Sequence, residues 1–474
     1  MAKESMEPLN IAGRMERLPL SGFTWLVIWF AGAAWFIESL DIGAIGVVLE
    51  SVRRVMQLTP GQVGMLAVSS TFGIVLGLIP AGYLADRYGR KRVLVWGVIE
   101  YSTLTVLAAF SPNYHVLLTI RFLSGLGMGA VFPLPYAIVS EFVPKTTRAR
   151  FNGILDGCLS VGYFLAPLLG ALILPRFAPT ESWRVFLVVS GLPLVYAAIA
   201  HKWMPESPRW MEVRLGRERA EGAMRAIEQR VEHETGRALP APRMIPLLVP
   251  QGKPRPTVAE VWSGAQLGKT VVGSAAMISA LLMFYVVMIY MPSLLVKDGY
   301  SIAHSLLYTA IITGSAIPGK LLNGWLSDTW GRKPVYILFM VLASVGAMFF
   351  GEVHSLPLVI TYGCLMSFFG TGTFPGLKMY YAEQYPTRLR ATGSSTVEAV
   401  SRLLGGVVGP YFVPVLLATV GIAGIFRVIG LVGIAGPIVV LFWGKETAKR
   451  TLEEVSGDTA AMSGDAVPGA LVGK

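Results

Sequence analysis

Residues 82–92 read Gly82-Tyr83-Leu84-Ala85-Asp86-Arg87-Tyr88-Gly89-Arg90-Lys91-Arg92, a charged turn between two long apolar runs. The same pattern returns as Gly324-Trp325-Leu326-Ser327-Asp328-Thr329-Trp330-Gly331-Arg332-Lys333-Pro334, again between two apolar runs. We call these the first turn and the second turn. One such turn arises readily by chance. Two copies in corresponding places indicate an internal duplication of a membrane-embedded unit.

The composition is that of a membrane protein. The chain has 474 residues, of which 53% are hydrophobic and only 15% are charged. A soluble chain of this length carries roughly a quarter charged residues and lacks repeated apolar segments of about 20 residues. Cys158 and Cys364 lie inside apolar segments, so we expect neither a disulfide nor a metal site. The first twenty residues lack the pattern of a cleaved signal peptide.

The net charge of +11 is distributed in a way that argues against nucleic-acid binding. The basic residues collect in alternate loops, and this asymmetry is the positive-inside pattern of membrane proteins. It predicts that both termini and the long middle loop are cytoplasmic. We therefore expect a multi-pass protein of the plasma membrane, which is the inner membrane in a bacterium, with no nucleic-acid partner.

The apolar runs number twelve, in two sets of six. They cover about 22–49, 61–84, 93–110, 115–141, 151–174 and 183–203, and then 269–296, 303–326, 335–351, 356–381, 393–418 and 421–443. Each is long enough to cross the hydrocarbon layer as a helix. The predicted fold is an all-α membrane protein with twelve transmembrane helices in two pseudo-symmetric six-helix bundles. The predicted divisions are a cytoplasmic lead (1–20), the first bundle (21–203), a cytoplasmic loop (204–268), the second bundle (269–443) and a cytoplasmic tail (444–474).

The first turn has the chemistry of a gate. Asp86 lies at the predicted cytoplasmic end of helix 2, close to Arg87 and Arg90. A carboxylate there can accept hydrogen bonds from a neighbouring helix N-terminus and pair with arginine, which would hold one conformation shut. Gly89 and Gly331 permit the tight reversal of the chain. The alternative is a solvated basic turn that only obeys the charge rule.

A second duplicated pattern follows helices 4 and 10, where an acid, a proline and two arginines recur. We interpret both patterns as gates. The gating residues are Asp86, Arg87, Arg90, Glu141, Arg148 and Arg150 in the first half, and Asp328, Arg332, Glu383 and Arg388 in the second. Because the counterpart of Arg87 is Thr329, we expect the second gate to be the weaker one.

These motifs resemble the hallmarks of the major facilitator superfamily. The first turn matches its G-x-x-x-D-R-x-G-R-K signature, and the second repeats it as G-x-x-x-D-x-x-G-R-K. Residues 121–129 resemble its helix-4 motif R-x-x-x-G-x-G-x-G. Residues 205–210 resemble the P-E-S-P-R-[WY] motif of sugar porters, and residues 445–454 imperfectly resemble the C-terminal motif of that group. The resemblance covers about residues 20–455. It implies a transporter, not an enzyme, that works by alternating access to a central site.

Two nucleotide-binding patterns are misleading. Residues 314–321 nearly match a phosphate-binding loop, but Leu321 replaces the required Ser or Thr and the segment is apolar. The glycines of residues 125–129 lie within a membrane span. We therefore expect no cofactor, and energy from an ion gradient.

Ionisable residues inside predicted spans indicate the proton path, because burying such a group unpaired costs several kcal/mol. By resemblance to proton-coupled sugar porters, Asp41 in helix 1 faces Arg121 in helix 4. A nearby arginine holds a carboxylate ionised, and separating the two favours its protonation. We expect Asp41 to carry the proton and Arg121 to modulate it. The alternatives are a static ion pair, or Glu38, one turn away, as the carrier.

Helix 11 bears on the substrate. Residues 401–410 resemble the helix-11 segment of organic ion transporters, in which the position of Arg402 is often basic in anion carriers. A guanidinium suits carboxylate binding, although Glu398 one turn earlier could form a local pair with it. Lys320 in helix 8 could add positive charge or extend towards the cytoplasm. Tyr285 and Tyr290 in helix 7 could line an aromatic-acid pocket, or serve packing alone.

We therefore predict a secondary transporter that carries a small organic acid together with protons, resembling metabolite and aromatic-acid symporters. The substrate would be a nicotinate- or benzoate-like compound or another monocarboxylate, and we expect a monomer. A sugar or polyol symporter is the alternative that residues 205–210 favour, but helix 7 lacks the paired glutamines of sugar porters. A drug or organic-cation exporter and a non-transporting receptor of the same fold remain further alternatives.

Overall fold

The computed structural model describes residues 11–143, 148–242, 257–386 and 389–448. The side chains of residues 79, 148–150, 265 and 391 lie outside that description. Across these ranges the secondary structure is helical and contains no strand. The chain divides into two compact units, which we describe separately. Unit 1 comprises Met1–Lys253, Val286–Ile317 and Pro410–Thr419, and unit 2 comprises Pro254–Tyr285, Pro318–Gly409 and Val420–Lys474.

The first half of the chain contains six spans, some of them built from two helices, and three helices outside the spans. The spans are α2 (Gly22–Met56), α3 (Pro60–Tyr88), α4 (Arg90–Ala108), α5 and α6 (Tyr114–Val131, Leu134–Phe142), α7 (Arg148–Ile173), and α8 and α9 (Pro179–Val189, Pro193–Trp203). The others are α1 (Ile11–Glu16), α10 (Pro208–Arg214) and α11 (Arg217–Thr235).

The second half contains π-helical segments inside three of its spans. After the short α12 (Val258–Val261) come α13 (Gly264–Tyr285), the π segment Val286–Tyr290 and α14 (Met291–Lys297), then α15 and α16 (Ile302–Gly314, Ala316–Thr329) and α17 (Arg332–Phe350). The remaining elements are α18 (Leu356–Leu365), the π segment Met366–Thr371, α19 (Phe374–Glu383), α20 (Arg390–Ser401), the π segment Arg402–Val408 and α21 (Gly409–Trp443).

The predicted fold class is confirmed. Within the described ranges, ten helical stretches are long and apolar enough to cross a membrane. The two predicted spans missing from that number have physical explanations. α4 opens with three basic residues and carries Glu100 in mid-helix. Helices 11 and 12 form one continuous stretch, Thr392–Trp443, which breaks at Gly421 because its φ of 71° and ψ of −175° are not helical.

The first two spans begin where the sequence supplies capping side chains. Ser21 caps α2, and its side chain accepts from the backbone N–H of Thr24. Thr59 caps α3 in the same way through Gln62, and Pro60 occupies the first helical position. These side chains satisfy backbone N–H groups that have no partner inside a helix, so they fix where each helix starts.

Glycines of the helix-4 motif let three helices of unit 1 pack backbone to backbone. A Cβ added at Gly125 would collide with the carbonyl oxygen of Ser70, and one at Gly129 would meet that of Ile74, both on α3. The intervening Gly127 faces α4, where an added Cβ would collide with the Glu100 carboxylate. Alternate glycines therefore serve two different neighbours. Small residues at such spacing are typical of close helix packing in membranes.

An ion-pair cluster holds α1 against α11 in unit 1. Arg14 Nη1 lies 2.6 Å from a carboxylate oxygen of Glu221, and Arg17 Nη2 lies 2.6 Å from Glu228. Burial alone would raise the pKa of Glu228, but hydrogen bonds from Arg14 and Arg17 outweigh it and hold that pKa below its ordinary value. The stabilisation is therefore fully present at neutral pH, and is lost as the pH falls through the lowered pKa.

The compact units do not follow the order of the two predicted bundles. Residues 286–317 and 410–419 belong to unit 1, together with the first half of the chain. The chain passes between units five times. Three of these passages are at the start of one π segment (285/286), beside the break between α15 and α16 (317/318) and just after another π segment (409/410), and the others are at 253/254 and 419/420. The division into 21–203 and 269–443 stays a prediction about the duplicated halves. Of the middle loop, residues 243–256 lie outside the described residues.

Replacing Gly125 tests the packing of the helix-4 motif. We expect Gly125→Ala to lower the stability of the protein by about 1–3 kcal/mol, because the new methyl group meets a main-chain carbonyl that cannot rotate away. The measurement is the midpoint of thermal unfolding of purified protein in detergent. Gly82→Ala is the control, because an added Cβ there meets nothing within 4 Å. Equal midpoints for the two variants would show that the glycine contact is unimportant.

Candidate functional site

A buried ion pair lies in unit 1, where α2, α4 and α5 meet. Arg121 Nη1 donates to both carboxylate oxygens of Asp41, at 3.1 and 3.3 Å. Thr105 on α4 donates its hydroxyl to Asp41 Oδ1 at 2.9 Å and accepts from Arg121 Nη1 at 3.2 Å. The Asp41 and Arg121 side chains are 0% and 1% exposed. The structure therefore places the two predicted residues together, with a hydroxyl bridging them.

The arginine of this pair is held by one nitrogen only. Within the described residues, Nε and Nη2 of Arg121 make no hydrogen bond. A bidentate arginine–carboxylate pair uses two parallel N–H groups and is correspondingly stronger and more rigid. The Asp41–Arg121 pair is thus a buried salt bridge that uses a small part of the hydrogen-bonding capacity of its guanidinium.

Two residues of α4 complete the neighbourhood of Asp41. Tyr101 is fully buried and interacts electrostatically with both Asp41 and Glu38. Glu38 itself is 0% exposed. Tyr101 and Thr105 are four residues apart and so share one face of α4. Sequence reasoning missed both, because uncharged polar residues in a span do not stand out as ionisable ones do. Their i, i+4 spacing, which puts two polar side chains on one face of a span, was the sequence signal by which they could have been found.

A second buried cluster lies in unit 2. Arg402 Nη2 lies 2.8 Å from Glu398 Oε1, Arg402 Nε donates to the same oxygen at 2.9 Å, and Arg402 Nη1 donates to the hydroxyl of Tyr285 at 3.2 Å. Tyr381 donates its hydroxyl to Glu398 Oε2 at 3.2 Å. Arg402 is 5% exposed. The local Glu398–Arg402 pair that the spacing allows is therefore formed, and it includes two tyrosines.

The π segment Arg402–Val408 shapes this cluster. A Cβ added at Gly406 would lie 2.6 Å from the ring of Tyr285, so the bare backbone lets the ring approach closely. π segments are frequent at functional sites, because the extra residue per turn reorients side chains. Sequence periodicity alone gives no sign of such a segment.

Another predicted substrate residue, Tyr290, lies apart from this cluster. Tyr290 belongs to unit 1, where its hydroxyl donates to the carbonyl oxygen of Pro410 at 2.8 Å. That contact is a structural one between two chain segments. Tyr290 therefore does not extend the Arg402–Glu398–Tyr285 cluster. Lys320 is 8% exposed within unit 2.

The first turn is a network centred on Arg90. Arg90 Nη2 lies 3.1 Å from Asp86 Oδ1, and Arg90 Nε donates to Glu141 at 3.0 Å. The carboxylate that caps α4 is Glu206, not Asp86: it accepts the backbone N–H groups of Arg90 and Lys91 at 2.9 and 3.1 Å. Asp86 was predicted both to cap a neighbouring helix and to pair with arginine, and the structure shows only the second role. Asp86 pairs with arginine, and its side chain is 64% exposed.

The second turn repeats this network in unit 2. Arg332 Nε lies 2.8 Å from Glu383 Oε2, and Arg332 Nη2 lies 3.9 Å from Asp328. Glu446 takes the place of Glu206 and accepts the backbone N–H groups of Arg332 and Lys333 at 3.1 and 3.0 Å. The arginine–aspartate contact differs most between the two turns, at 3.1 Å in the first and 3.9 Å in the second.

Glycine is required in both turns for two reasons. Gly89 has a φ of 106° and Gly331 a φ of 118°, values that favour glycine. A Cβ at either position would also meet the capping carboxylate, of Glu206 or of Glu446. Sequence reasoning missed both caps as site residues, although each acid follows the last span of its half in a matching place.

Some predicted gating residues are not part of these networks. Arg87 is exposed and donates to the hydroxyl of Tyr83 at 3.1 Å. Its counterpart Thr329 donates to the carbonyl of Trp325 in its own helix. The Arg332–Asp328 contact is longer than the Arg90–Asp86 contact, but neither contact includes Arg87 or Thr329. This difference in length therefore does not arise from the Arg87–Thr329 difference on which the prediction of a weaker second gate was based. Arg388 and the side chains of Arg148 and Arg150 lie outside the described residues.

An all-helical membrane protein with matched halves and charge pairs buried in its spans has the architecture of a secondary transporter. The family model described as "Sugar (and other) transporter" matches residues 27–458. The chain therefore belongs to this family of the major facilitator superfamily, and it is a transporter, not an enzyme.

Two relatives whose names state what they carry match nearly the whole chain. The niacin transporter NiaP of Acinetobacter baylyi is 31% identical over 94% of this chain and 100% of its own length. The 4-hydroxybenzoate transporter PcaK of Pseudomonas putida is 26% identical over 87% of this chain and 95% of its own. Among solved structures, an inward-open conformation of the E. coli xylose transporter XylE matches with a TM-score of 0.73 and 18% identity, over 92% of this chain and 99% of that one. At that identity the structural match shows the fold alone.

The networks of the two turns predict different roles for neighbouring arginines. We expect Arg90→Gln to reduce transport at least tenfold, because Asp86 and Glu141 both lose their cation. Arg87→Gln should leave transport within about twofold of wild type, because this exposed side chain contacts two exposed tyrosines, Tyr83 and Tyr88, and no acid of the network. The measurement is initial uptake of labelled substrate by cells expressing each variant, corrected for the amount of protein in the membrane. Equal losses for the two variants would contradict the assignment of Arg90 as the centre of the network.

Proposed function

We propose that this transporter carries a small organic acid, an aromatic or other monocarboxylate, in symport with protons. The observation that carries the proposal is Arg402, a guanidinium buried in the membrane at a π segment and bonded to the hydroxyl of Tyr285. A buried cation in a span is costly to maintain, so its retention points to a functional partner. A carboxylate is the group that a guanidinium fork matches best.

Glu398 would make the proposed site select a carboxylate over an uncharged substrate. In the absence of substrate it neutralises Arg402, so the cation is not left unpaired in the membrane. An incoming carboxylate would share or replace this partner, whereas an uncharged sugar would not. Tyr285 accepts a hydrogen bond from the same guanidinium through its hydroxyl, and its ring packs against Gly406. Niacin and 4-hydroxybenzoate, named for the relatives NiaP and PcaK, are both aromatic monocarboxylates.

Proton coupling is assigned to the Asp41–Arg121 pair. Its single-nitrogen contact is easier to separate than a bidentate pair, and Thr105 can stay bonded to Asp41 when Arg121 moves. Once Arg121 withdraws, a buried carboxylate is strongly favoured to take up a proton. Glu38, buried near the same tyrosine, is the second candidate for the carrier.

The proposal also covers the gating role of the two turns, the membrane in which the protein resides and its oligomeric state. The turns around Arg90 and Arg332 would open and close the basic end of the protein. The basic end would face the cytoplasm together with both termini, as the positive-inside rule requires. The protein would reside as a monomer in the plasma membrane, or in the inner membrane of a bacterium.

A sugar or polyol symporter is the second candidate. The description of the family and the xylose-transporter structures favour it. Against it, the helix that contains Tyr285 and Tyr290 reads Phe284-Tyr285-Val286-Val287-Met288-Ile289-Tyr290 and offers no amide side chain. A sugar needs several hydroxyl and amide partners, whereas a carboxylate needs one guanidinium.

The role of Arg402 can be tested by binding. We expect nicotinate to raise the thermal unfolding midpoint of the purified protein, and xylose not to. Arg402→Gln should weaken nicotinate binding about 10- to 100-fold, because a hydrogen bond to a charged group is worth about 1.5–3 kcal/mol. The double variant Arg402→Gln/Glu398→Gln leaves no unpaired buried charge, so it separates lost binding from misfolding.

The matched control is Arg427→Gln, which breaks an exposed pair with Glu352 in unit 2 and should leave nicotinate binding unchanged. Undiminished nicotinate binding by the double variant, or stabilisation of the wild type by xylose, would refute carboxylate recognition at Arg402.

The role of Asp41 can be tested by separating driven transport from exchange. Asp41→Asn keeps an oxygen for Thr105 and Arg121 but cannot bind a proton. We expect this variant to lose pH-driven uptake in proteoliposomes while retaining counterflow of labelled against unlabelled nicotinate. Glu38→Gln should retain both. If Asp41→Asn keeps pH-driven uptake and Glu38→Gln loses it, the carrier is Glu38.

A further inference from the structure

A hollow of about 490 Å³ lies on unit 1 beside the first turn. The first two turns of α4, the end of α9 and the short helix α10 surround it. Its lining residues include Lys91, Arg92, Trp96, His201, Trp210 and Met211. The transport mechanism proposed above uses none of these side chains.

The hollow is positively charged. Within the described residues, the side chains of Lys91, Arg92 and His201 form no hydrogen bond and no ion pair within 4 Å. Glu206 is the acid in the lining, and its carboxylate already accepts the N–H groups at the start of α4. The net charge offered to a ligand is therefore positive.

The position of the hollow along α4 fixes its depth in a bilayer. Residues 91–96 begin a span, and six residues of helix rise about 9 Å, which is roughly the thickness of a headgroup layer. Trp96 is 51% exposed, and Trp203 at the end of α9 is 55% exposed. Half-exposed tryptophans beside basic residues are typical of a membrane–water interface.

The exposed face of α4 continues from the hollow as an apolar track. Arg92, Trp96 and Ile99 are exposed and follow one another at helical spacing, so they lie on one face. A ligand with an anionic head in the hollow could place a hydrocarbon chain over Trp96 and Ile99. A soluble anion would make no use of that track.

We propose that this hollow binds the headgroup of an anionic phospholipid, with Lys91, Arg92 and His201 around the phosphate and an acyl chain along Trp96 and Ile99. Trp210, which lines the hollow, donates its indole N–H to the carbonyl of Asp86 at 2.8 Å. The bound lipid would therefore adjoin the first turn.

Lipid binding to the purified full-length protein tests the proposal. Native mass spectrometry would measure the dissociation constant of the first bound lipid, for phosphatidylglycerol and for phosphatidylcholine. We expect phosphatidylglycerol to bind at least tenfold more tightly. Lys91→Gln/Arg92→Gln should remove most of that preference, since each basic residue near an anionic lipid contributes roughly fivefold. The control Arg219→Gln/Arg237→Gln removes equal charge from exposed positions outside the hollow and should keep the preference.

Three results would overturn the proposal. They are equal affinities for the two lipids, an equal loss in the control variant, or displacement of phosphatidylglycerol by millimolar glycerol 3-phosphate, which would show a site for soluble phosphates. Should Lys91→Gln/Arg92→Gln have a lowered unfolding midpoint without lipid, Arg92→Gln/His201→Gln replaces it, because both of these side chains are exposed.

Discussion

A carboxylate buried among membrane helices is stable beside a cation or when it carries a proton, and in the proposed transport cycle Asp41 alternates between these two states. Arg121 supplies the cation through one nitrogen, and Thr105 holds the carboxylate in place. A fully bidentate pair would hold Asp41 ionised throughout, whereas no pair would leave it protonated throughout. In the second half, Arg402 meets the same constraint through Glu398 and Tyr285. In the proposed mechanism, the first pair serves the proton and the second serves the anion.

The duplicated turns solve a separate problem, which is how to end one span and begin the next at a charged surface. In each half a glycine with positive φ reverses the chain, and an acid from beyond the last span of that half caps the new helix. An arginine then joins the turn to the acid at the end of another span. Because the caps come from distant sequence, each turn ties together three parts of its own unit. The turns are thus structural joints as well as candidate gates.

Much of this arrangement could be predicted from the sequence, and the reasons for the failures are specific. Hydropathy and charge predicted twelve spans, since burial in lipid demands long apolar helices, and the family followed from the duplicated motifs. Pairing Asp41 with Arg121 came from the resemblance, not from periodicity. Thr105 and Tyr101 were missed because hydropathy does not tell which face of a span is buried. The π segments, and hence the contact of Tyr285 with Gly406, depend on tertiary packing that overrides the regular helical period. Sequence reasoning did not distinguish Arg87 from Arg90, because both are arginines of one turn, although Arg90 contacts two acids and Arg87 is exposed beside Tyr83. The gating role of Arg87 stays a prediction.

The central claim is that movement of an organic acid is coupled to movement of a proton. The most direct measurement is the steady-state accumulation of labelled nicotinate in proteoliposomes at several imposed pH differences, corrected for protein-free liposomes. One proton carried with each anion predicts an accumulation ratio that rises about tenfold for each pH unit, because one unit corresponds to about 1.4 kcal/mol. A corrected ratio that stays at one at every pH difference would contradict proton coupling.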